Sequence, residues 1–294
     1  MKNRPNAFSI VLLVAIISGL AVGAKDKSAW KDAFITVGDI KIHYLDAGGG
    51  ERTLVFIPGW PFTAEAWQEQ IPYFAARALR VIALDPRSHG QTTKTEEGNT
   101  LHQQAADLNA FLQKLKIEHP YLVGWGAAAT VIAEYIASPE TSKPEKVVLV
   151  EGGATTWNFE EGPSLTSIQK ARALLLGFQE DRMKAVEQFV RSLFSTRQPE
   201  YLIKEVVNGS FKTPSAAAIS LYFDLLTGDR RSVWARMQVP SLIVTGATNR
   251  KAGEDLKNRV PHSDLQVIEG AGSAVFLDKP QAFNQVLDAF FGKP

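Results

Sequence analysis

The chain has 294 residues, of which 45% are hydrophobic, enough to bury a substantial core. Its 32 Lys and Arg against 31 Asp and Glu give a net charge of +1, without the basic excess that a nucleic-acid partner requires. There are no cysteines, so disulfides, thiolate metal sites and thiol nucleophiles are excluded.

The first element reads as a targeting segment. Lys2 and Arg4 precede the apolar run AFSIVLLVAIISGLAVGA, and charged KDKSAWKD follows at once. A basic start, a short apolar stretch and small residues at Val22, Gly23 and Ala24 predict an export signal over residues 1–24, cut after Ala24. The alternative is an uncleaved anchor, the one route by which this chain would meet a membrane. Loss of Lys2 and Arg4 would leave the mature chain at about −1.

Strand and helix patterns then alternate. AFITVGDIKIHYLDAG alternates apolar and polar residues like an edge hairpin, ending in Gly48-Gly49-Gly50. TLVFIPG and RVIALDP are short continuous apolar runs, as expected for strands buried on both faces of a parallel sheet. TLHQQAADLNAFLQKLK places Leu101, Ala105, Leu108, Leu112 and Leu115 on one helical face. YLVGWGAAAT is a buried strand running through a tight small-residue turn into a helix, and KVVLVEG is the next strand. Between about 152 and 238 the strand patterns stop. SLTSIQKARALLLGF, RMKAVEQFVRSLF, PEYLIKEVV and PSAAAISLYFDLL read as helices, a cap inserted between two strands. PSLIVTG and DLQVIEG resume the sheet, and PQAFNQVLDAFFG is a terminal amphipathic helix. One α/β domain with a helical excursion follows, covering residues 25–294.

Three segments in order, FIPGWPFTAEAW, ALDPRSHGQT and LVGWGAAA, each follow a buried strand. In this order and spacing the chain resembles the α/β-hydrolase superfamily, in the subset with a Pro-Gly-Trp turn and an Asp-Pro-Arg-Ser loop. The resemblance covers the chain from about residue 33 and is weakest in the cap. It implies an α/β-hydrolase fold: a mostly parallel sheet flanked by helices, with the helical cap above it.

It also implies where chemistry belongs. The G-x-S-x-G elbow of that family holds a nucleophile in a strained turn. Here Gly124 and Ala128 are the small flanking residues, and the nucleophile position is Gly126. The family acid falls on Asn249 in TGATNR, and the family histidine on Ser273 in EGAGSAVFLDKP. All three triad positions are thus substituted. Backbone amides do not depend on side-chain identity, so an oxyanion hole built from Ala127 and Trp60 would persist and could receive a carbonyl or carboxylate.

Two residues are candidates to rescue activity. Glu151 ends the strand before the cap, where relatives resembling haloalkane dehalogenases carry their acid, and His89 follows Ser88 in the Asp-Pro-Arg-Ser loop. The plainer reading makes that loop structural, braced by Asp85 and Arg87, and leaves His43, His102, His119 and His262 to surface or packing roles. Trp60 and Trp125 read equally as pocket wall or as core. No metal-ligand spacing, phosphate loop or dinucleotide fingerprint is present, so neither metal nor cofactor is expected. Three functions follow: a catalytically silent hydrolase-fold protein with a capped apolar pocket for a small ligand; an active hydrolase with a non-standard site; or a scaffold whose cap binds another protein.

Overall fold

The computed structural model describes residues 29–153 and 164–292. The expected export signal lies outside these residues. Eight strands form one sheet: β1 (Lys31–Val37), β2 (Ile40–Gly48), β3 (Thr53–Ile57), β4 (Arg80–Leu84), β5 (Tyr121–Trp125), β6 (Lys146–Val150), β7 (Ser241–Gly246) and β8 (Ser263–Ile268). Their spatial order is β1-β2-β4-β3-β5-β6-β7-β8. The β1–β2 hairpin and the β2–β4 pair are antiparallel; every pairing from β4 through β3 to β8 is parallel. This is the sheet that the resemblance implies.

The strand sequences explain their places. VGDIK turns tightly at Gly38, where φ is +52°, and β1 shows the alternating exposure of a sheet edge. By contrast, β5, β6 and β7 are buried at every residue, as continuous apolar runs must be between two helical layers.

The helices are α1 (Gln70–Ala75), α2 (Leu101–Lys114), α3 (Ala127–Ala137), α4 (Leu165–Glu180), α5 (Arg182–Ser192), α6 (Glu200–Phe211), α7 (Ser215–Thr227), α8 (Arg231–Trp234), α9 (Arg250–Arg259), α10 (Val275–Asp278) and α11 (Pro280–Phe291). The Thr100 side chain caps α2 by accepting from the Gln103 amide, and Leu101, Ala105, Leu108 and Leu112 form its buried stripe as the spacing predicts. Leu115 stands just past the last turn, at the C-cap. α2 packs on α3, and α1 on α11. Helices α4 to α7 all fall between β6 and β7 in the chain.

One consequence governs function. The neighbouring parallel strands β5, β6, β7 and β8 end side by side, so the residues just past their C-terminal ends share one rim of the sheet. Those residues include Gly126, Glu151, Asn249 and Ser273.

Candidate functional site

The turn after β5 keeps the shape of an elbow. Gly126 has φ +56° and ψ −117°, a region that residues with a Cβ rarely adopt. Its amide donates to Val150 O at 2.8 Å, which ties the turn to β6. Strand and helix nearly touch at its base: a Cβ on Gly124 would lie 2.7 Å from Ala128 O. A Cβ on Gly126 would meet nothing within 4 Å. The space that a reactive side chain would occupy is open, and the chain leaves it empty.

Asn249 and Ser273 meet beside it. The Asn249 Nδ2 donates to Ser273 Oγ at 2.8 Å and to Glu151 Oε2 at 2.5 Å. The other carboxylate oxygen of Glu151 accepts from the Gly246 amide at 2.6 Å and from Thr245 Oγ at 3.0 Å. Glu151 itself stands at φ +53°, unusual for a residue with a long side chain. Burial pushes its carboxyl above the usual range, against the pull of its three donors, Gly246, Asn249 and Thr245.

A cavity of about 280 Å³ opens at this rim. Among the described residues, Gly126, Ala127, Glu151 and Asn249 line it, with Ile243 and Leu225 supplying apolar wall. Leu225 comes from α7, so the helical insertion contributes to the cavity. Its lining is mixed, with Glu151 the one ionisable side chain among these described residues. The first amides of α3, starting with Ala127, have no acceptor within the helix and stand at its positive end.

Trp60 and Trp125 do not line this cavity. Trp60 is buried under α7, where its indole N–H donates to Ala218 O at 2.7 Å. Its ring stacks on Tyr222 with centroids 4.7 Å apart and touches Phe178 and Phe189. Trp125 stacks on Phe62 at 5.0 Å and donates its indole N–H to Ser273 O at 3.0 Å. Both tryptophans thus fasten neighbouring segments together: Trp60 holds the insertion and Trp125 holds the loop of Ser273.

His89 is buried, and its Nδ1–H donates to Arg87 O at 2.8 Å. Burial drives its pKa down to about 4, so the ring is neutral. The surrounding loop is braced by Asp85, which accepts from the amides of Ala64 and Gln91, and by Arg87, which forks onto Asp107 and Asp39.

Sequence reasoning missed three features. Thr245 and the Gly246 amide were read only as strand residues, yet they hold Glu151. Asp278, in FLDKP, gathers donors from the insertion and from the loop of Ser273. His43, expected at the surface or in packing, is a buried ring between two carboxylates: Nδ1 lies 2.7 Å from Asp85 and Nε2 3.0 Å from Asp32. Only the neighbouring chain in space reveals these partners; no local spacing marks them.

Comparison with known proteins agrees with this architecture. Residues 54–286 match the alpha/beta hydrolase family. An AB hydrolase superfamily protein, YisY, of Bacillus subtilis (strain 168) is 25% identical over 250 residues, covering 83% of this chain and 93% of the relative. The non-heme chloroperoxidase CPO-A1 of Kitasatospora aureofaciens is 26% identical over 273 residues, 86% of this chain and 97% of the relative. The structure of an esterase (EaEST) from Exiguobacterium antarcticum superposes with a TM-score of 0.84 at 23% identity, over 90% of this chain and all of that one. With the parallel sheet, the elbow at Gly126 and a family match across most of its length, this chain belongs to the alpha/beta hydrolase family.

Proposed function

We propose that this protein is a catalytically silent α/β-hydrolase-fold protein whose rim cavity binds a small ligand carrying a carbonyl or carboxylate. The observation that carries the reading is an elbow with no side chain beside an acid–base pair reduced to amide and hydroxyl. Acyl transfer through a covalent intermediate needs an activated nucleophile and a base within hydrogen-bond reach. Gly126 supplies no nucleophile. None of the five histidines supports a base at this rim. His43 is on β2, His89 is bonded to Arg87 O, and His102 opens α2. His119 and His262 precede β5 and β8, at the opposite ends of those strands. A full triad is worth on the order of 10⁶ in kcat, so its loss removes ordinary esterase turnover.

Binding does not need those side chains. The Ala127 amide at the start of α3 lines the cavity and suits a carbonyl or carboxylate oxygen, whereas Trp60, expected to supply a second donor, does not line it. Leu225 and Ile243 offer apolar contact to the rest of a small molecule.

A second reading has one observation in its favour. Glu151 is a half-buried carboxyl with a raised pKa facing the same cavity of a chain whose relatives include a protein named as a chloroperoxidase. In that reading Glu151 serves as general base on activated esters.

One experiment separates the two. Purified protein is screened for thermal stabilisation by small carboxylic acids and esters while p-nitrophenyl acetate turnover is followed in parallel. Stabilisation with no turnover above background supports the silent binder. Turnover abolished by Glu151→Gln or by His89→Gln sinks it and establishes the hydrolase. Export with cleavage after Ala24 belongs to the same proposal, and the mass of the mature chain recovered from expressing cells tests it.

A further inference from the structure

Asp278 ends α10 and is buried, yet its carboxylate serves two separate segments. Oδ2 accepts from the Ser195 amide, from Ser195 Oγ and from the Gly272 amide, each at 2.8 Å. Oδ1 accepts from Thr196 Oγ and from Gln198 Nε2, each at 2.7 Å. Four of these five donors come from the connection between α5 and α6 in the helical insertion. The fifth is the residue next to Ser273.

Two further observations mark the same seam. The Ala274 amide donates to Leu193 O at 2.9 Å, so both neighbours of Ser273 are tied to one segment of the insertion. The backbones approach so closely that a Cβ on Gly272 would stand 2.5 Å from Leu193 O and 2.7 Å from Ser195 N. Ser195 Oγ also lies 2.5 Å from Gly270 O, so its single proton is shared between that carbonyl and Asp278. Ser273 therefore sits in a loop whose position is defined from the insertion, not from the sheet alone.

We propose that Asp278 is a positioning residue that welds the α5–α6 connection to the Ser273 loop, so that the insertion and the candidate site move as one body at this seam. Access to the cavity is then set elsewhere along its rim, and displacement of residues 193–198 carries Ser273 away from Asn249. The proposal uses the functional reading above only in taking Ser273 as part of the site; its test needs no ligand.

The physical basis is charge-assisted hydrogen bonding. A buried carboxylate with five donors is stable as an anion: burial penalises its charge, but the donors of Ser195, Gly272 and Thr196 outweigh that and hold its pKa below the usual range. An amide of the same shape offers one acceptor oxygen in place of two and turns its nitrogen toward groups that are themselves donors. Asp278→Asn therefore opposes donors with a donor and should release one side of the seam while keeping the side-chain volume.

The reporter is Trp125, whose indole N–H donates to Ser273 O. In the full-length protein, Asp278→Asn should shift the Trp125 indole ¹H–¹⁵N resonance. It should also raise amide hydrogen exchange about tenfold or more in both 193–198 and 270–275, with exchange in β5 and β6 unchanged. Asp278→Glu should restore part of the protection. Tyr73→Phe, which removes a hydrogen bond to Asp288 on the α1–α11 side, serves as the control for general loosening. Its Trp125 resonance should stay in place. An Asp278→Asn protein with an unmoved Trp125 signal and unchanged exchange would overturn the proposal. So would loosening confined to residues 193–198, because Ser273 would then be positioned independently of the insertion. Should Asp278→Asn fail to fold, Thr196→Val, which removes one donor to the same carboxylate, is read in the same way.

Discussion

Asn249 and Ser273 are in hydrogen-bond contact, 2.8 Å between Nδ2 and Oγ, at the two positions that the resemblance assigns to the acid and the histidine. Neither can carry a proton through a catalytic cycle, yet their separation is that of a working pair.

If these positions are correctly assigned, chemistry can be returned to them. The variant Gly126→Ser, Asn249→Asp, Ser273→His should hydrolyse p-nitrophenyl esters at least ~10²-fold faster than the parent, the lower end of what a positioned base contributes. The open space around the Gly126 Cβ position removes the steric objection. The backbone at φ +56° still makes Gly126→Ser alone costly, by about 1–3 kcal/mol, seen as a lowered Tm. A folded triple variant without added activity would count against the assignment of these three positions.

Glu151 is held by three donors, and its replacements should rank by what they leave unsatisfied. Glu151→Ala strands the Gly246 amide and leaves the Thr245 hydroxyl only Gly246 O as an acceptor, and should cost on the order of 1–3 kcal/mol in urea unfolding. Glu151→Gln keeps an acceptor for both and lets the Asn249 amide turn over, so it should cost clearly less. Equal losses for the two would show that these hydrogen bonds contribute little.

His43 faces carboxylate oxygens through both ring nitrogens, an arrangement that a neutral ring with one N–H cannot satisfy on both sides. Burial opposes its charge, but hydrogen bonds and charge from Asp85, then Asp32, prevail and raise its pKa above 6.5. A raised pKa in the folded state makes the contribution complete below 6.5 and lost as pH rises through the folded value. Unfolding free energy should therefore fall as pH rises from 6.5 through the folded value, and His43→Gln should flatten that limb. Direct observation by NMR of a neutral ring at pH 6 would contradict this account.

His89 predicts the opposite limb. Its folded pKa of about 4 lies below the ordinary 6.5, so the fold favours the neutral ring. Its contribution is whole above 6.5 and is lost as pH falls toward 4, amounting to about 3 kcal/mol at most. The stability of His89→Gln should depend less on pH between 6.5 and 4 than that of the parent. Identical slopes would place the acid sensitivity elsewhere.

The succession of strands and helices and the tight turn after β5 were legible in the residues themselves, and the α/β-hydrolase fold in the motifs that carry the resemblance. Apolar runs such as KVVLV can be buried on both faces only in a parallel sheet between helices, and Gly124 and Ala128 mark the crossing of strand and helix. These are local constraints: periodicity, side-chain size and allowed φ. Other features were decided only when distant segments met. Glu151 and Asn249 are 98 residues apart in the chain, and Asp278 and Ser195 are 83 apart. Whether a carboxylate is a solvated surface group, a pocket wall or a buried clasp depends on which donors reach it and how much water is excluded. Trp60 and Trp125 illustrate the point, since their motifs suited wall and core equally until α7 and the Ser273 loop closed over their indole N–H groups. Backbone shape follows from short-range sterics, which the sequence carries in full. Hydrogen-bond partnership and desolvation are properties of the folded neighbourhood, and only tertiary structure determines them.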